Sequence, residues 1–276
     1  MMKQASIPQR RDRKRQLLWW PIVGVLAAIA ITTTMDATGL SAFSALPLFP
    51  LIVVFWWLQG FSRHDMGFAW GQWHHYGLAL LYPLLVLGIV AVIAIGGGVA
   101  DLSHTNWHKA ELNFLLVAVS TFVVAILTEE GFFRGWFWAA LGRVGAGPTG
   151  LLVWSSLAFA LWHLSAVTLE TGFNPPASQV PVFMINAAVM GAIWSLLRLI
   201  SGSVIVASLS HGVWNAGAYV FFGLGTKVGA LGVRNTGMYG PEVGVLGLAI
   251  NLLFFLTLCW WTYRRLPSHT PARFSA

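Results

Sequence analysis

Runs of apolar residues, each close to the length that crosses a bilayer, alternate with short clusters of Gly, Pro, Asn and charge from Leu17 to Tyr263. A helix needs about 20 consecutive apolar residues to span the hydrocarbon core. Such stretches fall at 17–35, 45–61, 77–99, 112–141, 149–170, 180–200, 203–223 and 243–263. Backbone groups in lipid must be paired within the segment itself, so runs of this length fit helices and not the short alternating strands of a barrel. The pattern therefore predicts an all-α, polytopic bundle of eight transmembrane helices over 17–263, between a basic tail at 1–16 and a second tail at 264–276. Segment 62–76, "SRHDMGFAWGQWHHY", reads as an inner loop whose Trp70, Trp73 and Tyr76 suit a membrane interface. Segments 100–111 and 223–242 read as outer connections. Segment 171–179, "TGFNPPASQ", holds a Pro pair that cannot continue a helix; it reads as an ordinary connection, well placed for a lid.

Composition reinforces the pattern. The 276 residues are 57% hydrophobic and 9% charged, with 15 Trp and 18 Phe, which excludes an ordinary soluble domain. A net charge of +7 raises the question of nucleic acid, but its distribution answers it. With the "RRDRKR" end inside, eight spans return Arg264 and Arg265 to the same side, and 13 of the 16 Lys and Arg fall inward. Lys109, Lys227 and Arg234 remain outside. This is the positive-inside bias of a membrane protein with both termini cytoplasmic, and no nucleic-acid partner is implied. The first span reads as a retained helix, because no small-x-small cleavage site follows "AIAITTTMD". Cys259 is the single cysteine, so there is no disulfide framework.

The remaining information lies in polar residues deep inside the spans. Seven of the nine acidic residues, Asp36 and Glu242 among them, fall in tails, loops or span ends; Glu129 and Glu130 do not. Six of the eight histidines are likewise peripheral, leaving His163 and His211. Arg134 and Asn215 complete the deep set. An ionisable group within a membrane costs at least about 2.5 kcal/mol and normally faces the protein interior. Glu130 and Arg134 are four apart, the spacing of an intrahelical ion pair, whereas Glu129 points about 100° away and is free to address another helix. His211 and Asn215 share a face, as do Phe159 and His163. At about 1.5 Å per residue, Glu129, His163 and His211 lie about 18, 21 and 12 Å from the inner ends of their spans, so they can share one plane. Gly131 and Gly135 form a G-x-x-x-G that lets a neighbouring helix approach.

A carboxylate beside imidazoles in a shielded chamber suits general-base activation of water. One Glu and two His are also the ligand types of a catalytic zinc with an open position, although no H-E-x-x-H helix is present. His211 and Asn215 suit oxyanion stabilisation. The bland alternatives are a structural ion pair for Glu130–Arg134 and interhelical hydrogen bonds for each histidine.

The ordered motifs E-E-x-x-x-R at Glu129, Glu130 and Arg134, F-x-x-x-H at Phe159 and His163, and H-x-x-x-N at His211 and Asn215 resemble the CPBP family of intramembrane proteases. That family includes type II CAAX prenyl endopeptidases and bacteriocin-processing and immunity proteins. The resemblance implies a core at 112–223 and a membrane endopeptidase acting on a membrane-anchored or lipidated substrate, prenylated or not, in the inner half of the bilayer. Glu129 and His163 would activate the water, His211 and Asn215 would stabilise the oxyanion, Glu130 and Arg134 would hold the site together, and Phe159 would border the substrate cavity. A zinc ion on Glu129, His163 and His211 and a metal-free glutamate mechanism both remain compatible with these residues. So does a non-catalytic immunity or scaffold protein that binds a peptide in the same cavity.

Overall fold

A computed structural model describes residues 7–265, with side-chain surroundings for 19–264. The first helix, Ile7–Ala37, takes in much of the expected amino-terminal tail, while the tail residues 1–6 and 266–276 lie outside the described residues. The other spans are Leu48–Gln59, Trp73–Gly96, a fourth built from Trp107–Leu127, Gly131–Trp136 and Phe137–Arg143, a fifth from Pro148–Trp162 and Leu164–Thr168, Val180–Ser201, a seventh from Val204–Gly217 and Ala218–Phe222, and Val245–Arg265. Eight of these segments are long and apolar enough to cross a membrane. The protein is thus an integral, multi-pass helical bundle. Its strands among the described residues are a minimal antiparallel hairpin, Gly223–Leu224 with Lys227–Val228.

The fifth, sixth and seventh spans are the most buried and form the centre. Leu115, Leu116, Val119 and Val123 of the fourth span face outward, and Trp57, Trp70, Trp73, Trp107 and Trp260 are exposed, as anchors at a lipid interface would be. Tight approaches rest on glycine. A Cβ at Gly212 would lie 2.7 Å from the Ala118 carbonyl oxygen and 2.8 Å from the Phe122 nitrogen, so the seventh span lies directly on the fourth. Gly131 faces Ile52 of the second span, and Gly135 faces the Met66 carbonyl in the 61–72 loop, so the G-x-x-x-G serves packing as its spacing suggests.

The fourth span departs from the single helix expected over 112–141. Its helix stops at Thr128 (φ −122°, ψ −97°), and residues 131–136 continue as a wider π-helical turn before the α-helix resumes. Wide turns of this kind recur where a helix must re-aim side chains at a functional site. Two carboxylates expected at span ends are in fact buried. Asp36 accepts a hydrogen bond from the Ser165 hydroxyl at 2.6 Å, and Glu242 sits beside the seventh span. Three connections, around 97–106, 169–179 and 223–244, gather at the end of the bundle away from the amino terminus and surround a cavity of about 1280 Å³.

Candidate active site

The wide turn aims Glu129 and Glu130 into the bundle, and their roles divide there. Glu130 is fully buried, and its Oε1 accepts from Arg134 Nη1 at 3.0 Å. The Arg134 guanidinium, also fully buried, donates to the Gly191 carbonyl at 2.7 Å and lies over the Phe159 ring at 4.4 Å. The side of Gly191 must stay bare for this: a Cβ there would sit 3.0 Å from Arg134 Nη2 and 3.2 Å from Phe159. Arg198 of the same sixth span donates from Nε to the Arg134 carbonyl at 3.0 Å, satisfying backbone within the wide turn.

Both imidazoles are held by one nitrogen each. The fifth span breaks at His163, whose backbone N–H bonds Ala160 and so leaves the Phe159 carbonyl to the ring; Nδ1 takes it at 2.9 Å. A carbonyl only accepts, so the proton is on Nδ1 and Nε2 is left to face inward. His211 donates from Nδ1 to Glu130 Oε1 at 3.0 Å and stacks on Trp194 with ring centroids 4.1 Å apart. Glu129 Oε2 stands 3.9 Å from His163 Nε2 and 3.8 Å from His211 Nε2. These gaps exceed a direct hydrogen bond and match groups that share one bridging water. Glu129 and His163 keep 16% and 21% of their side-chain surface, so the meeting point is reachable. Asn215, half-buried one turn beyond His211, makes no side-chain hydrogen bond among the described residues and keeps its amide free.

The sequence-expected residues therefore converge, with one change of place and one misfit. Phe159 is buried under the imidazoles, packed edge-on against Trp194 and Phe133, and is not part of the lining of the wide cavity. The donor types Glu129, His163 and His211 suit zinc, but bonds of about 2.0–2.1 Å bring tetrahedral ligand atoms to about 3.3 Å from one another. The observed separations are wider, and among the described residues no group of three His, Cys, Asp or Glu is gathered closely enough to hold an ion. The expected metal site does not fit this spacing.

Sequence reasoning missed Trp194, Gly191 and Glu242. Glu242 accepts from Trp214 Nε1 at 3.0 Å and borders the large cavity. Burial, with the Glu129 charge adding to it, pushes its carboxyl up to about 7, against the opposing pull of the Trp214 N–H and His211. Its place just before the last apolar run gives no hint of this.

Fold and site together define a polytopic helical membrane protein with a carboxylate–imidazole cluster locked into its centre. Residues 111–217, which carry all three motifs, match the family model described as type II CAAX prenyl endopeptidase Rce1-like, in agreement with the resemblance to CPBP proteins. No curated protein matches the chain significantly.

Proposed function

We propose that the protein is an intramembrane endopeptidase that hydrolyses a peptide bond of a membrane-associated substrate of the CAAX type, using water activated by Glu129 and His163. The observation that carries this reading is the placement of Glu129 Oε2 between two imidazole Nε2 atoms, at 3.8 and 3.9 Å, with each ring's other nitrogen already fixed. A water there donates to the Glu129 carboxylate. The carboxylate takes its proton as the oxygen attacks the scissile carbonyl. The free Asn215 amide, one turn beyond His211 on the same helix face, donates to the oxyanion; His211, whose Nδ1 proton goes to Glu130, adds a donor from Nε2 as an imidazolium flanked by Glu129 and Glu130. Glu130 and Arg134 do no chemistry; they hold His211 and neutralise each other, so Glu129 is the carboxylate left to act. The family match over 111–217 supports the same activity.

The test is mass spectrometry of a lipidated, membrane-anchored reporter peptide incubated with the protein in liposomes. Cleavage at one internal bond, lost in Glu129→Gln and His163→Ala, is the expected result. A reporter that is retained by the protein but stays intact would overturn the reading in favour of a non-catalytic peptide-binding protein.

A further inference from the structure

Glu242 stands outside the motif residues, yet the structure invests heavily in its position. The Tyr82 hydroxyl donates to Asn251 Oδ1 at 2.8 Å, Asn251 Nδ2 to Asn186 Oδ1 at 2.9 Å, and Asn186 Nδ2 to the carbonyls of Pro241 and Glu242 at 2.9 and 3.0 Å. This buried chain crosses the third, eighth and sixth spans and ends on the turn that carries Glu242. Fully satisfied polar networks of this kind fix geometry. One Glu242 oxygen accepts from Trp214, less than one turn beyond His211 on the seventh span. The other makes no hydrogen bond among the described residues, while the residue borders the large cavity. Trp214 of the seventh span touches this carboxyl, and the titratable groups close enough to act on it electrostatically are Tyr219 and His211 of the seventh span, Tyr82 of the third and Glu129 of the fourth.

We propose that Glu242 is the general acid of this site, giving a proton to the departing amine while Glu129 takes one from water. The proposal rests on the endopeptidase reading above. In the step, the water O–H bond breaks toward Glu129, its oxygen bonds the carbonyl carbon, and the C–N bond breaks as the Glu242 proton passes to nitrogen. The products are a carboxylic acid and an amine. Glu129 then holds the extra proton and Glu242 lacks one, and exchange with water in the cavity resets both. A carboxyl held protonated on one side of the site and an unpaired carboxylate on the other divide the roles of acid and base. Glu130–Arg134 leaves Glu129 as the free base, while burial and the Glu129 charge keep a proton on Glu242 until about pH 7.

The experiment is a pH–rate profile of reporter cleavage by the full-length protein in liposomes, with Glu242→Gln, Glu242→Asp and Glu129→Gln alongside. The wild-type kcat should fall as pH rises through about 7. Glu242→Gln should lose about 10²-fold in kcat with little change in KM and lose that alkaline fall. Glu242→Asp should recover part of both. A Glu242→Gln protein with wild-type kcat and profile would overturn the proposal. So would a wild-type profile flat from about pH 6 to 9, a reading that stands even if the variant does not fold. A Glu129→Gln protein as active as wild type would instead sink the endopeptidase reading itself.

Discussion

Adjacent glutamates between the break at Thr128 and the wide turn at 131–136 meet opposite fates, and the difference is measurable. Glu130 is locked between Arg134 and His211 with no exposed surface, whereas Glu129 reaches the chamber. Removing one partner of a buried ion pair costs about 3–5 kcal/mol, because the other charge is left uncompensated. Glu130→Gln should therefore lower the unfolding midpoint sharply, while Glu129→Gln should leave it near the wild-type value and remove activity; thermal unfolding in detergent checks both. Glu242 predicts a pH-dependent stability. Its folded-state pKa is raised, so its contribution is intact below the ordinary carboxylate range and is lost as pH rises through about 7. Glu242→Gln should thus melt with the wild type at about pH 4 and above it at about pH 8. The Glu130–Arg134 pair was legible because i,i+4 spacing is a local property of one helix. The Glu130–His211 bond and the burial of Glu242 were not, since both depend on how separate spans and a connection come together.

At the level of elements, a few breaks and bare glycine faces do most of the positioning. The break at Thr128 and the wide turn at 131–136 turn both carboxylates inward, and the break at His163 frees the Phe159 carbonyl for the ring. Neither was legible: hydropathy reads 112–141 and 149–170 as unbroken helices, because a local change in helical pitch leaves apolar composition untouched. Gly212 and Gly191 are the contacts to probe. A methyl at 212 strikes backbone of the fourth span and cannot be relieved by a rotamer change, so Gly212→Ala should separate the spans at a cost of about 1–3 kcal/mol and draw His211 away from Glu130. Reporter turnover and unfolding midpoint should both drop. A methyl at 191 would press on the hydrogen-bonded Arg134 side chain and the Phe159 ring and lie 3.3 Å from the Ser156 backbone, so Gly191→Ala should lower both turnover and unfolding midpoint.

Across the whole molecule, eight apolar runs gave the span number and the helical class correctly, because span length is fixed by bilayer thickness whatever the packing. The large cavity was not legible, since it arises where three connections distant in sequence converge. It lies at the end away from the amino terminus, opposite to the inner half where cleavage is expected from the sequence. On the orientation expected from the Lys and Arg bias, with both termini cytoplasmic, that cavity would face the opposite compartment. In a Cys259→Ser background, Thr226→Cys beside the cavity should label with a membrane-impermeant maleimide from that side, and Ser62→Cys only after the membrane is opened. In the proposed function one carboxylate, Glu129, drives hydrolysis at this buried site. The most direct test is the single-turnover cleavage rate of a membrane-anchored reporter by wild type and Glu129→Gln at equal folded concentration. A loss of about 10²–10⁴-fold in the variant is expected, the contribution of a general base; equal rates would rule out that role for Glu129.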